Sequence, residues 1–403
     1  MQRTYLLLLL GNTLAASFIW GINTVFLLDA GLSNFEAFAA NAFFSAGMVV
    51  FEIPTGIYAD TLGRRASYLL GTVTLAATTG CYVFLWRIHG PFWAWAIVSM
   101  GLGLGFTFFS GAVEAWLVDA LSATGFEGTL ESVFAKGQII GGAAMLAGSV
   151  AGGYIAQATN LGVPFILRAC VLVVMFAVAF FLMRDIGFEP VRGQGFAIEV
   201  RRVWAASIKF GWRVPAAKAL MLSSPFIAGV QVYAFYALQP YLLKLYGDPK
   251  AYGIAGLVAA IAAGAQIVGG IAGPRLRKLF VRRTSALLAA TAASAVTVAL
   301  IGMLGRFWLV VALVVVWGLL VAAAMPIRAA YLNGLIPSQQ RATILSFDSM
   351  LSSTGGVVVQ PALGRAADVW SYGTSYVVAA GITALALPFI RLSRRANATA
   401  DTG

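Results

Sequence analysis

Charged side chains are scarce in this sequence: they make up 10% of its 403 residues, against 60% hydrophobic, with only two cysteines and one histidine. A soluble domain carries about 25% charged residues, so a soluble globular or disordered chain is excluded and a polytopic membrane protein is left. Cys81 and Cys170 both fall inside apolar runs, which excludes a disulfide framework and a zinc site. His89 stands alone between two such runs, so neither a metal cluster nor a histidine-based catalytic pair is available, and we expect no metal, no cofactor and no enzyme activity. The run Gly101-Leu102-Gly103-Leu104-Gly105-Phe106 imitates a nucleotide loop. It lies within an apolar stretch with no preceding strand, and helix packing explains it.

The apolar runs that remain are long. A membrane-crossing helix needs about 20 apolar residues. Six such spans are predicted at Tyr5 to Leu28, Glu36 to Tyr58, Ala66 to Trp86, Pro91 to Asp119, Ser132 to Gln157 and Val163 to Met183. Six more follow at about 220–246, 250–272, 284–304, 307–333, 344–367 and 372–391. The first run continues without a cleavage site into Leu28, so it reads as a span and not as a removable signal. A net charge of +12 would point to nucleic acid in a soluble chain. Of the 27 Lys and Arg, however, 19 fall in the termini and the even-to-odd loops, and only Arg87, Lys244, Lys250 and Arg306 fall in the opposite loops. That asymmetry is a topology signal, which predicts a cytoplasmic membrane with both termini cytoplasmic and no nucleic-acid partner. The domains expected are a six-helix bundle over 1–183, a linker over 184–218, a second bundle over 219–391 and a tail over 392–403. Within the linker, Phe196 to Phe210 has an amphipathic pattern suited to a membrane surface.

Between the second and third spans stands the decamer Gly56 to Arg65, predicted to be a tight hairpin. Gly56 would admit a neighbouring helix, Gly63 a turn with positive φ, and Arg64 and Arg65 a cytoplasmic surface. Gly56, Asp60, Gly63, Arg64 and Arg65 give the pattern G-x-x-x-D-x-x-G-R-R, which resembles the signature loop of the major facilitator superfamily of secondary transporters. The resemblance implies an all-α fold of twelve helices in two six-helix bundles that alternate access to a site near the midplane. It also implies that Asp60 and Arg64, with Asp119 at the end of the fourth span, form a gating latch against the eleventh.

The two halves are related internally. Arg64-Arg65-Ala66-Ser67-Tyr68-Leu69-Leu70 returns at an offset of 218 as Arg282-Arg283-Thr284-Ser285-Ala286-Leu287-Leu288, identical at five of seven positions. Glu52 to Ile57 returns at 214 as Gln266 to Ile271, and helix five at 212. A near-constant offset in chain order implies two parallel repeats. The second hairpin keeps its bases but has Pro274 in place of Asp60.

Charge within a membrane costs at least about 2.5–3.5 kcal/mol, so each instance marks a functional candidate. Glu114 and, at the 214 offset, Arg328 read as an ion pair across the pathway or as separate substrate contacts. Glu52, just before the helix-kinking Pro54, and Asp348 read either as a like-charge pair sharing a proton or as separate groups bonded to nearby hydroxyls. Glu114, Glu52 and Asp348 are the proton-coupling candidates. Trp20 and Asn23 on the first span, and Gln231, Tyr233, Tyr236 and Gln239 on the seventh, suggest a ligand wall, with Arg328 and Arg168 as anion holders. Gly148-Ser149-Val150-Ala151-Gly152-Gly153 resembles the helix-five motif of drug/proton antiporters, with Ser149 in place of its proline, and no base stands in the fourth span between Phe106 and Ala112. The reading is a monomeric carrier of a small-molecule substrate and protons in the lipid bilayer, an exporter of organic or drug-like solutes. The alternatives are a symporter importing a nutrient or organic anion, and a non-transporting receptor.

Overall fold

The structure, a computed structural model, describes residues 1–109, 111–188, 214–336 and 341–402; the amphipathic pattern of the linker lies outside them. All regular structure among them is helical: α1 Gln2–Trp20, α2 Asn23–Asp29, α3 Asn34–Leu62, α4 Arg64–Ile88, α5 Phe92–Thr107, α6 Ala112–Ala123, α7 Leu130–Ala158 and α8 Gly162–Leu182, followed by α9 Pro215–Tyr246, α10 Tyr252–Arg277, α11 Arg283–Met303, α12 Phe307–Leu335, α13 Arg341–Val369, α14 Tyr372–Ala384 and α15 Ala386–Arg395. Ten segments are long and apolar enough to cross a membrane, with α5–α6 and α14–α15 each counted as one, and the pair α1–α2 makes eleven. The twelfth span is α13, 29 residues long, whose apolar run also carries Asp348, Gln360, Arg365 and several hydroxyls. Its polarity is the first sign that it faces something other than lipid.

Two predicted spans are broken. The first bends by 49° between Trp20 and Asn23, where a side chain on Gly21 would come within 2.7 Å of the Gly256 Cα. The fourth is interrupted before Ala112 by Gly111 at φ +68°, and it runs on to Ala123, which leaves Asp119 one turn inside the end. The hairpin is shorter than predicted: α3 stays helical to Leu62, so the turn reduces to Gly63 at φ +105°.

Clustering of contacts gives two compact units. The first comprises Met1–Leu32, Phe43–Arg201 and Lys250–Ala260; the second comprises Ser33–Ala42, Arg202–Pro249 and Ile261–Gly403. Each unit thus includes the opening turns of a helix from the other half of the sequence. The first unit is pinned by an aromatic cluster in which Phe26 stacks on Phe165 at 3.9 Å and packs on Trp86 and Trp95. Its glycines serve close helix crossings: a Cβ at Gly152 would strike the Phe18 carbonyl, and one at Gly103 the Phe44 carbonyl. In the second unit α13 crosses α9 at Gly355 and Gly229, neither of which has room for a side chain.

A helix start leaves backbone N–H donors without partners in its own helix. Side chains distant in sequence supply the acceptors here. In the first unit Asp185 Oδ1 accepts the Arg65 N–H at 3.0 Å, at the start of α4. In the second unit the buried Asp401 takes the Thr284 N–H and hydroxyl, each at 2.7 Å, at the start of α11. Arg65 also donates to the Phe180 carbonyl and Arg283 to that of Ala400. The two carboxylates sit at equivalent places in the internal repeat. A second such pair caps α10 and α3: Gln157 Oε1 accepts the Gly253 N–H at 2.9 Å in the first unit, and Asp368 accepts those of Asn34 and Phe35 at 3.0 and 2.8 Å in the second.

Loss of a cap costs about 0.5–2 kcal/mol. Asp185→Ala and Asp401→Ala are each expected to lower the melting temperature of the detergent-solubilised protein, with the exposed Thr402→Ala as control. Unchanged melting in both aspartate variants would refute the capping role.

Candidate functional site

Three helices of the second unit turn one face each to a common space. On α9 the face is Leu220, Ser223, Ser224, Ile227, Ala228 and Gln231, and on α11 it is Leu287, Ala290, Thr291 and Ser294. On α12 it is Leu320, Val321, Ala324, Met325 and Arg328. These spacings of three, four and seven are what one helical stripe requires. With Ser352, Thr383 and Ile390 they enclose a cavity of about 210 Å³. One face of it is charged.

Arg328 extends its guanidinium to Asp348 on α13, with Nη1 to Oδ2 at 2.7 Å and Nη2 to Oδ1 at 2.6 Å. Ser224 of α9 accepts from Arg328 Nη2 and donates to Asp348 Oδ1 at 3.0 Å, closing a three-membered ring of hydrogen bonds. The geometry is the bidentate fork that makes Arg–carboxylate pairs strong. Local sequence places each member. Pro326 removes one backbone bond from α12 two residues before Arg328, and Pro225 does the same beside Ser224. The α9–α13 crossing at Gly229 and Gly355 brings Ser224 and Asp348 together. The side chain of Arg328 is 25% exposed and that of Asp348 11%. Arg328 lines the cavity, and Asp348, on the far side of its two hydrogen bonds, is not among the lining residues.

The predicted site residues divide. Arg328 and Gln231 line the cavity, and Arg328 is paired with Asp348 of its own unit, a partner that the sequence suggests for neither residue; the hydroxyl contact that is one alternative for Asp348 is made by Ser224. Glu114 lies exposed in the first turn of α6, where the helix dipole favours an anion, and Glu52 lies half-buried in α3, both in the first unit. Tyr233 is not a wall residue: it is fully buried, donates to Ser375 Oγ at 2.6 Å and packs on Phe38 and Tyr376. Gln239 and Asn23 are buried, Tyr236 and Trp20 half-buried. Arg168 is buried in the first unit with its guanidinium 5.9 Å from the Phe106 ring.

At the hairpin Arg64 is ion-paired with Asp60 and has its Nε 3.9 Å from Asp119 Oδ2, so the three charges do cluster. Arg65 turns away to the Phe180 carbonyl and ring. Gly63 is needed twice over, for its φ and because a Cβ would lie 2.5 Å from the Asp185 carboxylate. Gly56 admits no close neighbour: a Cβ there would meet nothing within 4 Å among the described residues. Sequence reasoning missed Ser224, Thr291, Ser294 and Asp185. The first three were signalled only by small hydroxyls recurring on one face of otherwise apolar helices.

The sequence model of the Major Facilitator Superfamily matches residues 5–304 and 226–402. The chain belongs to that superfamily. A search of curated proteins finds no match. Among solved structures, the family fold recurs in the nucleoside transporter NupG at TM-score 0.76 and 12% identity, covering 97% of this chain and 98% of that one. A POT family transporter in complex with 5-aminolevulinic acid superposes at 0.74 with 13% identity, covering 98% and 96%. The peptide transporter POT in complex with sulfate gives 0.72 with 14% identity, covering 100% and 96%. The chain is thus a multi-pass membrane transporter of the secondary type, with a twelve-span all-α fold.

Removing one partner of a buried ion pair costs about 3–5 kcal/mol, because the other charge is left uncompensated. Arg328→Gln and Asp348→Asn are each expected to destabilise the folded protein, and the double variant to recover much of the loss. Additive losses in thermal unfolding would show that the two side chains are not coupled.

Proposed function

We propose that this protein is a proton-coupled secondary transporter of a small organic anion, with Asp348 as the proton carrier and Arg328 as the group that senses its charge. The observation that carries the reading is the Arg328–Asp348–Ser224 ring at the edge of the cavity, with Arg328 among the lining residues and Asp348 not among them. A guanidinium held by one carboxylate binds a second one poorly. Protonation of Asp348 weakens its hold, and Arg328 is then available to a solute anion. Proton and anion therefore favour each other's binding, and the shared carrier moves both in one direction.

This places the symport reading ahead of export. Export drew on the glycines of α7 and on an aromatic wall. Gly148 and Gly152 of α7 are taken up by contacts with Ser17 and Phe18, and Tyr233 belongs to the core. A cationic solute competing with Arg328 for Asp348 would instead give antiport, so the charge of the solute sets the direction of coupling. The carrier works as a monomer in the cytoplasmic membrane, with both termini cytoplasmic and the 1–183 and 219–391 bundles rocking about the linker. Asp60, Arg64 and Asp119 form its latch on the cytoplasmic side, and we take Glu114 and Glu52 as secondary acids of the first bundle.

The test is flux in proteoliposomes holding a pH-sensitive dye. Addition of a transported organic anion should acidify the lumen, and Asp348→Asn should abolish that acidification while leaving downhill anion exchange. Acidification that persists in Asp348→Asn would remove this residue from coupling, and a solute flux without proton movement would remove coupling itself. For the latch, Asp60→Asn should slow transport severalfold with normal insertion; a normal rate would exclude it.

A further inference from the structure

Taking the anion-coupled reading above as its basis, we infer that the cavity of the second unit accepts a compact amphipathic monocarboxylate, whose carboxylate replaces Asp348 on Arg328 and whose body is apolar. The argument begins with what the wall offers. Seven of the 18 lining residues carry a hydroxyl or amide, which at first suggests a polyol or nucleoside site. Their protons are largely committed. Ser223 donates to the Leu220 carbonyl at 2.6 Å, Ser352 to that of Asp348 at 2.9 Å and Thr383 to that of Ala379 at 3.0 Å, each within its own helix. Ser224 is committed to Asp348. A polyol needs many free donors and acceptors in fixed positions, and this wall has few to give.

The rest of the lining is apolar, with ten aliphatic residues that include Leu287, Ala290, Leu320 and Ala324. Arg328 is the one charged residue among those that line the cavity. The cavity therefore has one cationic end and an apolar body. Its volume of about 210 Å³ is below the roughly 300–1,000 Å³ of sites for drug-sized ligands, so the occupant is small. The cationic end is already shown to fit a carboxylate: Asp348 occupies it with two bonds of 2.6 and 2.7 Å. A ligand with the same planar group meets the same fork. Phosphate and polyhydroxy acids share the charge but would leave polar groups buried against aliphatic side chains, which is costly.

The test uses the purified full chain in lipid nanodiscs and radiolabelled benzoate as probe. Saturable binding is expected, displaced by 4-methylpentanoate but not by benzamide, gluconate or uridine. Arg328→Gln should weaken binding at least about tenfold, the effect of losing charged hydrogen bonds. Ala290→Leu, which fills the apolar end, should also weaken it; Ala324→Val serves if that variant does not fold. Asp348→Asn should instead tighten benzoate severalfold, because it removes the internal competitor. A purely structural ion pair predicts the opposite change. Displacement by benzamide as effective as by benzoate, or binding unaffected by Arg328→Gln, would overturn the inference. If no carboxylate binds yet Asp348-dependent proton flux accompanies another anion, the substrate class fails and the coupling reading stands. If benzoate binds at Arg328 but proton flux ignores Asp348→Asn, the coupling reading fails and the site stands.

Discussion

A guanidinium and a carboxylate within a membrane-spanning bundle must find each other or be hydrated, since neither can be left bare in a low-dielectric interior. Arg328 and Asp348 meet this requirement with two short hydrogen bonds and a serine that both donates and accepts. The pair dictates much around it. It puts one charge on α13 and one on α12, its aspartate stands about two turns from Gly355, where α13 crosses α9, and its arginine lines the cavity. A buried pair of this kind adds little net stability over a well-packed apolar substitute. The proposed function gives the pair a use that does not depend on its strength, the exchange of one carboxylate partner for another.

The internal repeat supplies the frame for this chemistry by a device that helix starts need in any case. Four helix starts receive acceptors from remote side chains, in two pairs placed alike in the repeat: Asp185 with Asp401, and Gln157 with Asp368. The repeated arginines follow a different course in the two units. In the first, Arg64 is shared between Asp60 and Asp119. In the second, Pro274 stands where Asp60 would be, and Arg282 and Arg283 bind Asn397 and the Ala400 carbonyl of the C-terminal segment. Among the described residues the first copy thus pairs its arginine with two acids, while the second ties its arginines to the C-terminal segment.

What the sequence made legible follows from how far each signal reaches. Span number, the repeat and the Asp60–Arg64–Asp119 cluster could be read because apolar run length, a constant offset and a spaced motif are properties of the chain itself. The breaks at Gly21 and Gly111 could not, since a glycine in an apolar run looks the same whether it permits a bend or a close crossing. Choosing partners for charges was harder still. Arg328 was matched to Glu114 by repeat offset, but offset reports descent, not contact, and its partner is 20 residues along on the next helix. Tyr233 looked like a wall residue because an aromatic with a hydroxyl suits both a cavity and a core; the acceptor on Ser375 decides, and it lies 142 residues away.

The hydroxyls of the cavity sharpen the same point. Ser223, Ser224, Thr291, Ser294, Ser352 and Thr383 all line the cavity, and by count alone they would suit a polar ligand. A serine or threonine inside a helix, however, tends to return its proton to a carbonyl three or four residues back, and Ser223, Ser352 and Thr383 do so here. What such a residue presents to the cavity is then mostly carbon and a lone pair. Polarity by composition and polarity by available donors diverge, and the second governs recognition. Among the residues that line this cavity Arg328 alone carries a charge, and on the reading proposed above its guanidinium, not the count of hydroxyls, sets what the site selects.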